Sequence, residues 1–159
     1  MAAPVSDPHA EAARPATAPP GWHGKLPSLG DFATRRLPQA FVEAWDGWLA
    51  AGLAAQRDAQ GAAWVDAYLA SPSWRFLLLP DVLPGLPVAQ AWAGVLMPSV
   101  DRVGRYFPFT IAQPLPAWPA DDDALAALWQ WLARLDDLAA DALHEDWPVE
   151  RLESALAQS

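Results

Sequence analysis

Between Gly94 and Ile111 the chain reads GVLMPSVDRVGRYFPFTI, two apolar runs held apart by a short charged loop. The branched and aromatic residues of Gly94–Met97 and Tyr106–Ile111 suit buried strands, and Pro98 and Gly104 bracket the connection as turn formers. A strand, loop, strand unit is therefore predicted. Asp101, Arg102 and Arg105 lie close together in that loop. Charges beside core strands must be solvated, paired, or held ready for a partner.

A chain of 159 residues builds one well-packed core more readily than two, so a single domain is expected. The absence of cysteine excludes a disulfide framework, a thiolate metal site and a cysteine nucleophile. No apolar stretch approaches the roughly 18 residues of a membrane helix, and the first residues lack the pattern of a secretory signal. A soluble, cytoplasmic protein without membrane insertion is the expectation. Of the net charge of −9, residues 1–118 carry −1 and residues 119–159 carry −8. Binding to nucleic acid requires a basic stripe that displaces counterions, and this chain has none.

Residues 1–20 hold Ala, Pro, Ser and Thr with almost no large apolar side chain, which predicts a disordered tail, with the domain spanning 21–159. Trp22–Leu26 reads as a first strand. Pro38 suits a first helical position, and Leu37, Phe41, Trp45, Trp48, Leu49 and Leu53 follow at helical spacing, predicting a helix to about Gln60. Trp64, Val65, Tyr68 and Leu69 predict a shorter helix, stopped by Ser71 and Pro72. The continuous apolar run Trp74–Leu79 reads as a strand covered on both faces. Asp81–Pro87 is expected to be a surface loop. Asp121, Asp122 and Asp123 start a long helix with an apolar stripe of Leu125, Leu128, Leu132, Leu135 and Leu138, because carboxylates suit the positive end of a helix. Trp147 and Pro148 begin a short last helix ending in Leu152 and Leu156, which is expected to fray. The order of elements implies an α/β fold with a central mixed sheet flanked by helices.

Candidate chemistry is sparse. Gly24, Lys25, Ser28 and Gly30 are in the wrong order for a phosphate-binding loop, so Gly30-Asp31 is read as a turn whose aspartate caps its own backbone. Ser99 and Asp101 lack a histidine partner of recognisable context, since only His9, His23 and His144 exist. None of these histidines has the spacing of a metal site, and no metal or cofactor is expected. The tryptophans at 45, 48, 64, 129 and 131 fall at helical spacings that argue for core, whereas Trp118 and Trp147 near helix ends are candidates for partial exposure and protein contact. For the loop, two readings stand side by side. In one, Asp101 caps the loop and pairs with an arginine, Arg75 being a candidate; in the other, a guanidinium is kept for a carboxylate or phosphate on a partner.

Four segments, GWHGKLPSLGDF at 21–32, FVEAWDGWL at 41–49, WRF at 74–76 and GVLMPSVDRVGRYFPFTI at 94–111, resemble in order and spacing the TagF (also ImpM) family associated with bacterial type VI secretion. The resemblance is most specific at PSVDRVGRYFP. It implies a three-layer αβα-like sandwich and a cytoplasmic, non-enzymatic accessory protein. Such a protein represses assembly or firing of the apparatus after translation, through a forkhead-associated scaffold protein. Some relatives are fused to a phosphatase domain, which this sequence is expected to lack. His23 stands where relatives tend to carry an aromatic residue, and the stretch after Pro114 shows little that aligns. Lys25, Asp31, Arg75, Ser99, Asp101, Arg102 and Arg105 are the candidate signature or interaction residues, with no catalytic, metal or cofactor ligands among them. Two alternatives remain: a structural subunit of the apparatus, or a small phosphate-handling enzyme using the Ser99–Arg105 loop. The acidic C-terminal helices would suit a basic partner surface.

Overall fold

The computed structural model describes residues 18–86 and 90–159, so most of the expected tail and the end of the Asp81–Pro87 loop lie outside the described residues. Five strands, β1 (Gly21–Lys25), β2 (Phe32–Arg35), β3 (Trp74–Leu78), β4 (Trp92–Met97) and β5 (Phe109–Pro114), form one sheet in the order β2-β1-β5-β4-β3. Every neighbouring pair is antiparallel, which corrects the expected mixed sheet. The reason is connectivity. A parallel pair needs a long crossover, whereas β1–β2, β3–β4 and β4–β5 are each joined by a loop that simply reverses the chain.

Among the described residues four α-helices complete the fold, α1 (Gln39–Gln60), α2 (Trp64–Leu69), α3 (Asp122–His144) and α4 (Val149–Leu156), with a 3-10 turn at Gly61–Ala63 between the first two. Alternate residues of a strand face opposite sides of its sheet, and both sides are apolar here. Ala93, Val95 and Met97 of β4 join Phe109 and Ile111 in a core closed by Leu132, Leu135 and Ala139 of α3 and by Leu152 and Leu156 of α4. Trp92 and Leu96 face the other way and pack with Phe41, Trp45 and Leu49 of α1. Those three α1 residues recur every fourth position, which places them on one stripe of a helix.

Several expectations change. β2 was not expected; its pairing with β1 makes a hairpin. β3 is an edge strand with Trp74 exposed; Leu77 packs on the α3 side and Phe76 and Leu78 on the α1 side, so the expected cover on both faces holds only in part. β5 begins at Phe109, and Tyr106 only bridges Val100 across the loop. Trp48 and Trp129 are half exposed and Leu125 is exposed, so only part of each helical pattern is core, while Trp147 is buried. Leu83 of the expected surface loop is also buried, against the α1 side. Asp121 caps α3 by accepting the Ala124 N–H at 2.8 Å, as its position at the helix start requires. Leu156, at the end of α4, is fully buried.

Candidate functional site

The charged loop folds back on itself and onto the β1–β2 hairpin. Gly104 sits at φ 83°, the left-handed conformation that lets the loop turn. Asp101 is the hub. Its Oδ1 accepts the backbone N–H of Val103 at 3.0 Å and of Arg105 at 2.9 Å. Its Oδ2 accepts Lys25 Nζ at 2.9 Å and Arg105 Nε at 2.7 Å. Both the Lys25 and Asp101 side chains are almost wholly removed from solvent. Burial by itself would raise the Asp101 carboxyl, but the hydrogen bonds from Lys25, Arg105 and Val103 outweigh it and hold the group well below the usual carboxylate range. Lys25 also lies 4.0 Å over the Phe32 ring, so the cation meets an aromatic face as well as a carboxylate.

The remaining polar groups tie the loop to the hairpin turn. Arg105 Nη2 donates to Gly30 O at 2.5 Å and lies 3.7 Å from Asp31 Oδ1, while Arg102 Nη2 donates to Ser28 O at 2.6 Å. Asp31 Oδ1 also accepts the Phe32 N–H, the self-capping expected of that turn. Ser99 Oγ donates to Lys25 O at 2.6 Å, and the Tyr68 hydroxyl donates to Ser99 O at 2.9 Å and accepts the Ser99 N–H at the same distance. Burial, partly offset by that hydrogen bond, pushes the Tyr68 phenol up to about 12. Gly24 serves the same union. It has φ 129°, and a Cβ there would lie 2.3 Å from Pro108 O, a contact that only glycine avoids.

Six of the seven residues singled out from sequence thus converge: Lys25, Asp31, Ser99, Asp101, Arg102 and Arg105. Arg75 does not. It stands on β3 and its Nε donates to Asp136 Oδ2 of α3 at 3.0 Å, so it is not the partner of Asp101. The arginine that pairs with Asp101 is Arg105 of the same loop, joined by Lys25, which was hidden because it reaches the loop only through the pairing of β1 with β5. Among the described residues no histidine or carboxylate hydrogen-bonds the Ser99 hydroxyl, which donates to Lys25 O. His23 instead meets Thr34 Oγ1 at 2.7 Å and Asp46 Oδ1 at 3.4 Å, and stacks on Phe32.

On the α1 side of β3 lies an open cleft of about 480 Å³, lined among others by Trp48, Leu53, Tyr68, Pro72, Trp74 and Phe76. Trp45 stacks between Phe76, at 4.8 Å, and Trp48, at 5.0 Å. Trp48 and Trp74 remain 53% and 58% exposed, a concentration of apolar surface at the edge of the sheet that monomers seldom leave unused. Sequence reasoning assigned Trp48 to the core and Trp74 to a covered strand, and so missed this surface.

A family model described as the TagF N-terminal domain, type VI secretion system-associated, matches residues 21–159. The match takes in α3 and α4, beyond the segments up to Ile111 that carry the resemblance in the sequence. The crystal structure of PA0076 from Pseudomonas aeruginosa PAO1 is similar, with a TM-score of 0.76 and 48% sequence identity over 87% of this chain and 61% of that one. The present chain therefore spans about three fifths of that protein's length. No curated protein matches.

Proposed function

Since the chain belongs to the TagF family of type VI secretion system-associated proteins, we propose that it is a non-enzymatic, cytoplasmic accessory module. In this reading it represses assembly or firing of the apparatus after translation by binding a forkhead-associated scaffold protein. The observation that carries the reading is the state of the conspicuous loop. Every charged side chain between Ser99 and Arg105 makes a hydrogen bond within the chain itself, and the Ser99 hydroxyl donates to a backbone carbonyl, with no histidine or carboxylate bonded to it among the described residues. A catalytic group needs a partner positioned to move its proton, so function falls on surface recognition. With α1 on one face of the sheet and α3 and α4 on the other, the packing supports the three-layer arrangement that the family resemblance implies.

Deleting the gene in a strain with an active secretion system is expected to raise effector secretion, and the purified chain is expected to retain the scaffold protein. Unchanged secretion together with no retained scaffold would sink the reading.

A further inference from the structure

We propose that the outer edge of β3, with the cleft beside it, docks an extended segment of a partner protein in which apolar residues alternate with lysine or arginine. The inference rests on the reading of this chain as a binding module and names the surface that does the binding.

The first observation is the edge itself. β3 pairs on one side with β4, and among the described residues nothing pairs with its other side. Natural edge strands are commonly blunted by proline, lysine or a bulge, because a row of unpaired N–H and C=O groups is a template for another strand. The sequence WRFLL of β3 holds no proline or lysine, and its one charge, Arg75, is tied to Asp136 on the α3 face. The opposite edge differs: β2 has four residues, and the adjoining Arg36 is engaged with the Pro20 carbonyl and with Glu153.

The second observation is what lies on either side of that edge. An added strand presents alternate side chains to the two faces of the sheet. On the α1 face they would meet the cleft with its exposed Trp48 and Trp74. On the α3 face they would meet the stripe on which Asp122, Trp129 and Asp136 recur every seventh residue. Arg75 already shows which chemistry that stripe accepts, with its guanidinium 5.9 Å from the Trp129 ring and bonded to Asp136. Asp122 makes no ion pair among the described residues. A basic side chain one strand further out would approach the same acidic, aromatic stripe that already holds Arg75.

The same charges choose between occupants. A second copy of this chain would bring another net charge of −9 and a second acidic α3 to the edge, so like charges oppose self-pairing. A partner segment that is apolar on one face and cationic on the other fits both sides.

The test uses two acetylated, amidated peptides of about eight residues, the usual length range of a strand, one alternating valine with lysine and the other valine with glutamate. With the full chain, the lysine peptide is expected to slow amide exchange at Trp74–Leu78, and the glutamate peptide is not. Trp74→Lys, at an exposed position, is expected to keep the native Tm and to lower affinity for the lysine peptide about tenfold, the size of loss that a central interface tryptophan carries. Asp122→Lys, exposed on α3, is expected to weaken it less. No binding of either peptide, equal binding of both, protection at β2 instead of β3, or undiminished affinity of Trp74→Lys would overturn the proposal. Scaffold retention separates the two claims. If Trp74→Lys retains the scaffold protein as the native chain does, the docking site is wrong and the functional reading stands; if the native chain retains none, the functional reading fails while the peptide experiment still decides the site.

Discussion

The loop from Ser99 to Arg105 and the edge of β3 are opposites in how they use their residues. The loop is rich in charge; Asp101 and Arg105 are paired with each other and with Lys25, and Arg102 donates to the Ser28 carbonyl of the hairpin turn. The edge is apolar, and its tryptophans and outward backbone groups stay open. Residues that look most like a site hold the fold together, and residues that look like core, Trp48 and Trp74, stand exposed at the sheet edge. A charge is costly to bury, so a buried one must find partners. An indole exposed at a sheet edge has no such obligation.

The contrast can be broken or sharpened by substitutions taken in order of effect. Trp45 and Trp48 stack on one another, yet Trp45 is fully buried and its Nε1 donates to Thr110 Oγ1 at 2.9 Å. Trp45→Ala is expected to cost about 4 kcal/mol, the range for a buried aromatic cut to alanine, read from urea unfolding. Lys25→Met, which removes one of the two cations on the buried Asp101 carboxylate and leaves Arg105 and two backbone N–H groups, is expected to cost about 2 kcal/mol, the range for a hydrogen bond to a charged group, and to lower Tm by roughly 6 °C. A near-native Tm would show that the loop is not locked from the hairpin side.

Acid titration probes the same hub. The Asp101 carboxyl is held below its ordinary 3.8 in the folded chain, so the unfolded chain takes up the proton first. Its contribution is fully present above about pH 4 and is lost as pH falls below that value toward the lower folded one. The urea midpoint is therefore expected to drop between pH 5 and pH 3, as orders of magnitude for carboxylate titration, and Asp101→Asn should flatten that drop. Arg105→Ala is a milder change, about 1 kcal/mol, because the side chain is 53% exposed and solvent screens such pairs. Trp48→Ala closes the series at under about 0.5 kcal/mol, as a surface change. A large loss there would mean that Trp48 belongs to the core after all.

Much of the fold is legible in the chain, and the misses have specific causes. The α1 helix shows in its spacing, and Asp121 marks the start of α3 because a carboxylate at that position caps backbone N–H groups. Helical spacing does not say which stripe faces inward. Phe41 and Trp48 lie within about 20° of each other around the helix, yet Phe41 is buried against Trp92 while Trp48, two turns on, lines the open cleft beside β3. β2 escaped because Phe32–Arg35 is short and carries few apolar residues, and its pairing with β1 comes from the hairpin. β3 was read as covered because a run of apolar residues cannot reveal how many neighbours a strand has. Of the site, the loop residues stand out by composition, but the partnership of Lys25 with Asp101 depends on register between β1 and β5, which local pattern does not contain.

The position of β1 has a kinetic consequence. It is an interior strand, bound on one side by β2 and on the other by β5, although β5 comes late in the chain. β3, β4 and β5 follow one another and pair in sequence order, so they close with short loops, whereas joining β1 to β5 closes the long stretch that includes α1 and α2. The N-terminal hairpin must therefore wait for a half-built sheet to receive it, with Lys25 and Asp101 hydrated until that moment. Pulse-labelled amide exchange during refolding should find β4 and β5 protected before β1; simultaneous protection of all three would show that the sheet assembles in one step.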